Sequence, residues 1–295
     1  MKHVGKTASL AVAAIALALS SSPSPAQLAA PPAPQAEIPA DLQNPKIDIA
    51  YVEPKTQALR PVYDRLKQRK VLEHLKAFLA PLRLDQKLTV NTAECGGKEV
   101  HYQPGGPVTL CYEYIEMINR MAGGLPRNLQ RRIGDRTFSR DDAIAGAFAH
   151  YALHEVSRAV FDIQKIPVWG REEFAADRAA GFIMLHFGDG IAYKSFVGAS
   201  WFLAQSGVVL TGIPGGDFFT VRAAEMETLQ RFANTLCIAY GGNPKVFGFL
   251  KSSLHEARAR SCRGEYLQLE DSFNAVVMPL IDRDVLKRVQ AIEWF

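Results

Sequence analysis

The feature that most constrains the fold is a segment of small residues between Ser139 and Asp162. Ser139 followed by Asp142 has the spacing of a capping box, in which both side chains satisfy free amide groups at the start of a helix. A helix is therefore expected to begin here and to run to about Asp162. Small side chains let neighbouring backbones approach closely, so this helix is predicted to be central in the fold. Its small residues are Ala143, Ala145, Gly146, Ala147, Ala149 and Ala152.

Hydrophobic spacing elsewhere predicts further helices and a few short strands. Residues 61–82 place apolar side chains at helical spacing, whereas Lys87–Thr92 alternates with the two-residue period of a strand. Val100–Tyr102 and Val108–Leu110 follow among Gly-Gly turns, so two or three short strands in an antiparallel sheet are expected. Further helices are expected at 112–121, 171–186, 191–206, 221–240, 244–254 and 266–291. The predicted class is α+β, mostly helical with one small antiparallel sheet.

Residues 1–26 have the pattern of a secretory signal peptide. Lys2 and Lys6 precede an apolar stretch, Ala8–Leu19, that is too short to span a bilayer. Small residues in Ser24-Pro25-Ala26 predict cleavage after Ala26, and an uncleaved anchor helix is the alternative. No apolar run of about 18 or more residues follows, so no membrane span is expected after cleavage. The predicted location is the periplasm or the extracellular space.

The residues after this segment predict the limits of the folded domain. Residues 27–40 are rich in Ala and Pro, and proline fixes φ and lacks an amide donor. A tether is therefore predicted over 27–55 and a single domain over 56–295.

The net charge of the predicted mature chain is small. Removing the signal peptide takes away two lysines and no acid, so the formal charge falls from +4 to +2. So small a charge does not indicate a nucleic-acid partner.

Four cysteines lie after the predicted cleavage point: Cys95, Cys111, Cys237 and Cys262. An oxidising compartment favours disulfides, and four cysteines allow three pairings. The local pairing, Cys95–Cys111 and Cys237–Cys262, is the simplest. A structural zinc site is the competing interpretation, and it is weaker because no two cysteines have the C-x2-C spacing of such sites.

Polar residues in the central helix and in the next one have nearly the spacing of a zinc hydrolase site. In such a site two histidines four residues apart bind Zn2+, and the glutamate after the first histidine is the general base. A glutamate about 20 residues downstream is the third protein ligand, and an acid four residues beyond it orients a histidine. His154, Glu155, Glu173 and Asp177 occupy these positions. The position of the second histidine holds Arg158.

Arg158 changes what the site is expected to do. An open catalytic zinc site needs three protein ligands and a water, and His154 with Glu173 supplies only two. Zinc lowers the pKa of its bound water from 15.7 to about 7, and Glu155 alone has no comparable effect. Our hypothesis is that the Arg158 guanidinium closes the site as an ion pair with carboxylates that a metal would otherwise neutralise.

His150 is an alternative metal ligand. It lies four residues before His154 on the same helix face, so using it would move the metal about one turn toward the N-terminus. The residue after it is Tyr151, and the general-base position would then no longer hold a glutamate. The competing interpretation is that His150 is a partly buried structural residue of the helix.

Several stretches of the chain carry a resemblance to a known family: Ala93–Gly96, Leu110–Glu113, His154–Glu155, Pro167–Asp177, Arg231–Cys237 and Ala257–Cys262. In these stretches the chain resembles a bacterial metallopeptidase family of otherwise unknown function, which is gluzincin-like. The resemblance implies a zincin-like fold, the local cysteine pairing, zinc ligands at His154 and Glu173, and Glu155 as the base. Relatives carry histidine where Arg158 stands, and many have Asp-Glu-His where this chain reads Ala223-Ala224-Glu225.

The sequence supports three hypotheses about function. The first is an exported zinc peptidase, a hydrolase, whose degenerate motif at Arg158 leaves it weakly active or inactive, or active with His150 as the replacement ligand. The second is a non-catalytic exported protein that binds a peptide or protein in the former substrate cleft. The third is a structural protein of the cell envelope. Zinc is the expected cofactor if the ligand set is complete, and otherwise none is expected.

Overall fold

A parallel three-stranded sheet lies near the start of the structure, a computed structural model that describes residues 38–39, 42–96, 102–125, 130–133, 136–211, 223–292 and 294. Strand β1, Ile47–Tyr51, pairs with β2, Leu88–Ala93, and β2 pairs with β3, Val108–Cys111. Both pairs are parallel, so the predicted antiparallel sheet is wrong. Parallel strands need a crossover connection, and two helices supply one between β1 and β2. The prediction failed because it overlooked β1 and treated the Gly-Gly pairs as hairpin turns.

The limits of the predicted elements differ from the structure at this end of the chain. Strand β2 alternates buried and half-buried residues, which confirms the period-two pattern. Strand β1 lies inside the range 27–55 for which a tether was predicted, and its ladder with β2 begins before residue 56. Residues 1–37, 40 and 41, which include the predicted signal peptide, lie outside the described residues, as do residues 100 and 101 of the predicted strand 100–102.

Helices account for most of the described chain. An antiparallel hairpin of β4, Gln130–Ile133, and β5, Arg136–Ser139, precedes the longest of them. The helix predicted at 266–291 is two helices, because Pro279 lies in a short 3-10 turn, Met278–Leu280, that separates them. The helices are α1 Arg60–Gln68, α2 Val71–Phe78, α3 Tyr112–Gly123, α4 Arg140–Ile163, α5 Glu172–Leu185, α6 Asp189–Thr211, α7 Ala223–Gly242, α8 Pro244–Phe247, α9 Glu256–Val276 and α10 Arg283–Gln290.

Helix α4 is central, as its small residues predict. It begins with the expected capping box between Ser139 and Asp142. Gly146 faces Gly198 on α6 so closely that a Cβ on Gly146 would lie 2.5 Å from the carbonyl oxygen of Lys194. Leu153 and Val156 anchor the following turns in the main core. This packing holds the backbone around residue 154 in a fixed position.

Two disulfides fasten the fold. Cys95–Cys111 joins the segment after β2 to the end of β3, and Cys237–Cys262 joins α7 to α9. This is the local pairing that the resemblance implies. In the chain-entropy model, closing a loop of this size contributes about 3 kcal/mol to stability.

Among the helices that the structure describes, none is both long and apolar enough to cross a membrane.

Candidate functional site

His154 of α4 lies buried between two carboxylates of α5. Its Nδ1 is 2.8 Å from Oδ1 of Asp177, and its Nε2 is 2.9 Å from Oε2 of Glu173. Both carboxylates face α4 because they are four residues apart on one helix, which brings them to the same face. The structure therefore brings together three of the residues singled out in the sequence.

The two shortest polar contacts of His154 favour its protonated form. A neutral imidazole has one N–H donor, and only the protonated ring donates from both nitrogens. Burial lowers the pKa of His154, but the hydrogen bonds to Asp177 and Glu173 outweigh it and raise the pKa above its usual value. The geometry thus favours an imidazolium that donates to both carboxylates, whereas a metal ligand needs a free lone pair on Nε2.

Arg158 lies one helical turn after His154 and bridges the carboxylates around it. Its Nη1 is 3.3 Å from Oε2 of Glu155 and 3.7 Å from Oε1 of Glu173. Its Nε donates to Oε1 of Glu172 at 3.2 Å. The guanidinium is permanently charged, so it supplies a fixed positive charge among three acidic side chains.

Glu155, at the predicted general-base position, is almost completely buried. It is 3% exposed, and its Oε2 accepts hydrogen bonds from the backbone amide of Tyr102 at 3.0 Å and from Arg158. Burial raises the pKa of Glu155, and the nearby charges of His154 and Arg158 oppose that rise. Tyr102 was not predicted as a site residue, because its contact is made by the backbone and has no side-chain signature.

Arg231 of α7 completes the cluster from a distant part of the chain. Its Nε and Nη2 donate to the two oxygens of Asp177, at 2.6 and 2.8 Å. Burial raises the pKa of Asp177, but the hydrogen bonds from Arg231 and His154 outweigh it and hold this pKa well below its usual range. In the sequence Arg231 stood out only through the family resemblance, since spacing alone does not relate it to a residue 54 positions earlier.

His150, the alternative ligand, lies near Asp177. Its Nε2 is 3.4 Å from Oδ1 of Asp177, and within the described part of the chain it makes no hydrogen bond. Burial lowers the pKa of His150 to about 4, so the ring is neutral at pH 7. It is His154 that contacts Glu173, and this arrangement gives no support to His150 as the replacement ligand.

These residues do not fit an open zinc site. Within the described ranges, no group of three or more His, Cys, Asp and Glu side chains is arranged to hold a metal ion. His154 and Glu173 are adjacent, but the third position holds a guanidinium that donates hydrogen bonds and cannot coordinate a cation. A divalent ion beside it would also be repelled, by about 4 kcal/mol for each unit of charge at 4 Å and an effective dielectric constant of 20.

Comparison with known proteins identifies the family. No curated protein and no solved structure matches the chain significantly, so the zincin-like fold stays a prediction. The model of one family, described as "putative metallopeptidase", matches residues 51–277. This range covers most of the chain and includes every residue of the charged cluster. The chain therefore belongs to this metallopeptidase family.

Proposed function

We propose that the chain is an exported, non-hydrolytic member of its metallopeptidase family, which binds a peptide or protein rather than cleaving it. The surroundings of Glu155 carry this proposal. A general base must reach the proton that it removes, yet the Glu155 carboxylate is buried, accepts a hydrogen bond from the Tyr102 backbone amide and is paired with Arg158. Water with its ordinary pKa of 15.7 is not deprotonated by such a group at neutral pH.

An exposed aromatic side chain supports a binding role. Trp169 is 93% exposed and lies in the connection between α4 and α5, three residues before Glu172. Tryptophan is enriched at the centres of protein interfaces, where its large surface is removed from water. A peptide bound along this connection would cover the indole ring, and the connection leads into α5 at Glu172, the partner of Arg158.

The disulfides support export. All four cysteines are paired, and disulfides persist mainly in oxidising compartments such as the periplasm and the extracellular space. The signal peptide predicted at residues 1–26 would deliver the chain there.

Fluorescein-labelled casein, an unstructured protein, tests the proposal. Wild-type protein and Glu155→Gln are each incubated with it in the presence and absence of added zinc. Equal background hydrolysis is expected from both, because Glu155 removes no proton from water. Fluorescence anisotropy is expected to show casein binding to both proteins and clearly weaker binding to Trp169→Ala. Trp169→Phe, which keeps an aromatic ring, is the matched control.

Two results would contradict this proposal. The first is zinc-dependent casein hydrolysis that Glu155→Gln abolishes, which would establish a peptidase. The second is the absence of any casein binding by the wild-type protein.

A further inference from the structure

We infer that Arg158 is a built-in cation that takes the electrostatic role of a divalent metal ion at this site and makes the chain independent of metal. The inference deepens the proposed function and rests on it, since it names the group that stands where a hydrolytic site would hold its metal.

The charges around the site show what Arg158 neutralises. Asp177 is already paired with Arg231 through two short hydrogen bonds. Glu155 and Glu173, the carboxylates at the predicted base and ligand positions, are not paired with Arg231, and Glu173 also contacts Nε2 of His154 at 2.9 Å. One nitrogen of Arg158, Nη1, is 3.3 Å from the first and 3.7 Å from the second. The guanidinium thus faces both acidic groups that would surround a metal.

Apart from residue 158, the side chains at this site have the arrangement that a zinc site needs. Metal-binding histidines usually donate their second nitrogen to a carboxylate, which fixes the ring. Nδ1 of His154 lies 2.8 Å from Asp177 in that way, and its Nε2 is adjacent to Glu173. Residue 158 is four positions after His154, on the same helix face. Replacing Arg158 by histidine would therefore add the missing ligand and remove the opposing charge in a single step.

Zinc content tests the inference directly. Wild-type protein, Arg158→His and Arg158→Lys are stripped with a chelator, equilibrated with zinc and dialysed, and zinc is measured by mass spectrometry. About one zinc per chain is expected in Arg158→His, which has three ligands, and almost none in the other two, which keep the cation. Adding Asp177→Asn to Arg158→His is expected to weaken zinc binding about 10- to 100-fold, because the ring of His154 loses its support.

A thermal-unfolding measurement keeps the test decisive if Arg158→His does not fold. The midpoints of wild-type protein and Arg158→Lys are expected to be the same with zinc and with chelator. A zinc-dependent rise in either, or stoichiometric zinc in the wild-type protein, would overturn the inference. Folded Arg158→His without zinc would overturn it as well.

The two proposals fail separately. Wild-type protein that binds zinc but does not hydrolyse casein contradicts only the inference about Arg158. Zinc-dependent casein hydrolysis contradicts the proposed function too.

Discussion

Helix α4 packs against α6 and α5 in two different ways. Toward α6 it presents Gly146, which lies against Gly198 and the backbone of α6. Toward α5 it presents His154 and Arg158, which contact the acidic side chains of that helix. The first contact depends on the absence of side-chain volume, and the second on the balance of charge.

The two contacts differ in how they are stabilised. Close packing gains dispersion contacts and removes apolar surface from water, and it fails when volume is added. A buried charge cluster must offset a large desolvation cost, and it fails when one partner is removed. One helix therefore carries a contact that is sensitive to size and another that is sensitive to charge.

The largest effect is expected from removing Arg231. In Arg231→Met, Asp177 stays buried at 2% exposure without its guanidinium. Breaking a buried ion pair in this way costs about 3–5 kcal/mol of the free energy of unfolding, which urea denaturation would measure. Arg231→Lys, which keeps the charge but not the two-pronged geometry, is the control and is expected to lose less. A loss below about 1 kcal/mol in Arg231→Met would mean that the cluster is not a stabilising unit.

A smaller loss is expected at the glycine contact. In Gly146→Ala the new methyl group would meet the backbone of α6, and overpacking of this kind costs about 1–3 kcal/mol. Gly264, within α9, is the matched control, because a Cβ there meets nothing within 4 Å. Gly264→Ala is expected to stabilise the protein by about 0.5–1 kcal/mol through helix propensity. If both variants lose stability equally, the close approach at Gly146 is not the cause.

The smallest effect is a difference in pH dependence. The pKa of Asp177 is lowered: burial raises it, but hydrogen bonds from Arg231 and His154 outweigh that. A lowered carboxylate pKa contributes stability above the unfolded value of about 3.9 and loses it as pH falls toward the folded value. The stability advantage of wild type over Asp177→Asn is therefore expected to shrink below about pH 4.

His154 is expected to show the opposite sign. The hydrogen bonds to Asp177 and Glu173 outweigh burial, so its pKa is raised on folding. Its contribution is complete below the unfolded pKa of about 6.5 and is lost as pH rises through the folded value. Urea unfolding of wild type and His154→Gln between pH 5 and 9 would measure this loss.

The loss of unfolding free energy in Gly146→Ala is expected to change little with pH, because the groups that clash there are uncharged. A cost that follows pH as the cluster does would contradict the distinction between the two contacts.

Local spacing predicts neighbours well when two helices are consecutive. His154 and Asp177 are 23 residues apart on α4 and α5, and a short connection makes the helices pack against each other. The period of the helix then determines which side chains meet. Helical period does not predict the contact of Arg231 on α7 with Asp177, because that contact depends on how three helices pack together.

The sheet shows where local patterns are insufficient. Period-two alternation identifies β2 but carries no information about strand direction, which depends on the connection between strands. The helices between β1 and β2 make the pair parallel. A five-residue strand after a proline-rich stretch has little local signal, so the sequence pattern predicts a tether where β1 lies.

Chemical identities and short-range geometry could be read from the amino-acid sequence: the central helix, the His154–Glu155 pair with its downstream acids, and an arginine where a second histidine was expected. Only the folded chain decided the burial of Glu155 with its hydrogen bond from the Tyr102 amide, the pairing of Asp177 with Arg231 and the parallel order of the strands. These features depend on long-range packing and on the desolvation of charges, and both arise only when distant segments come together.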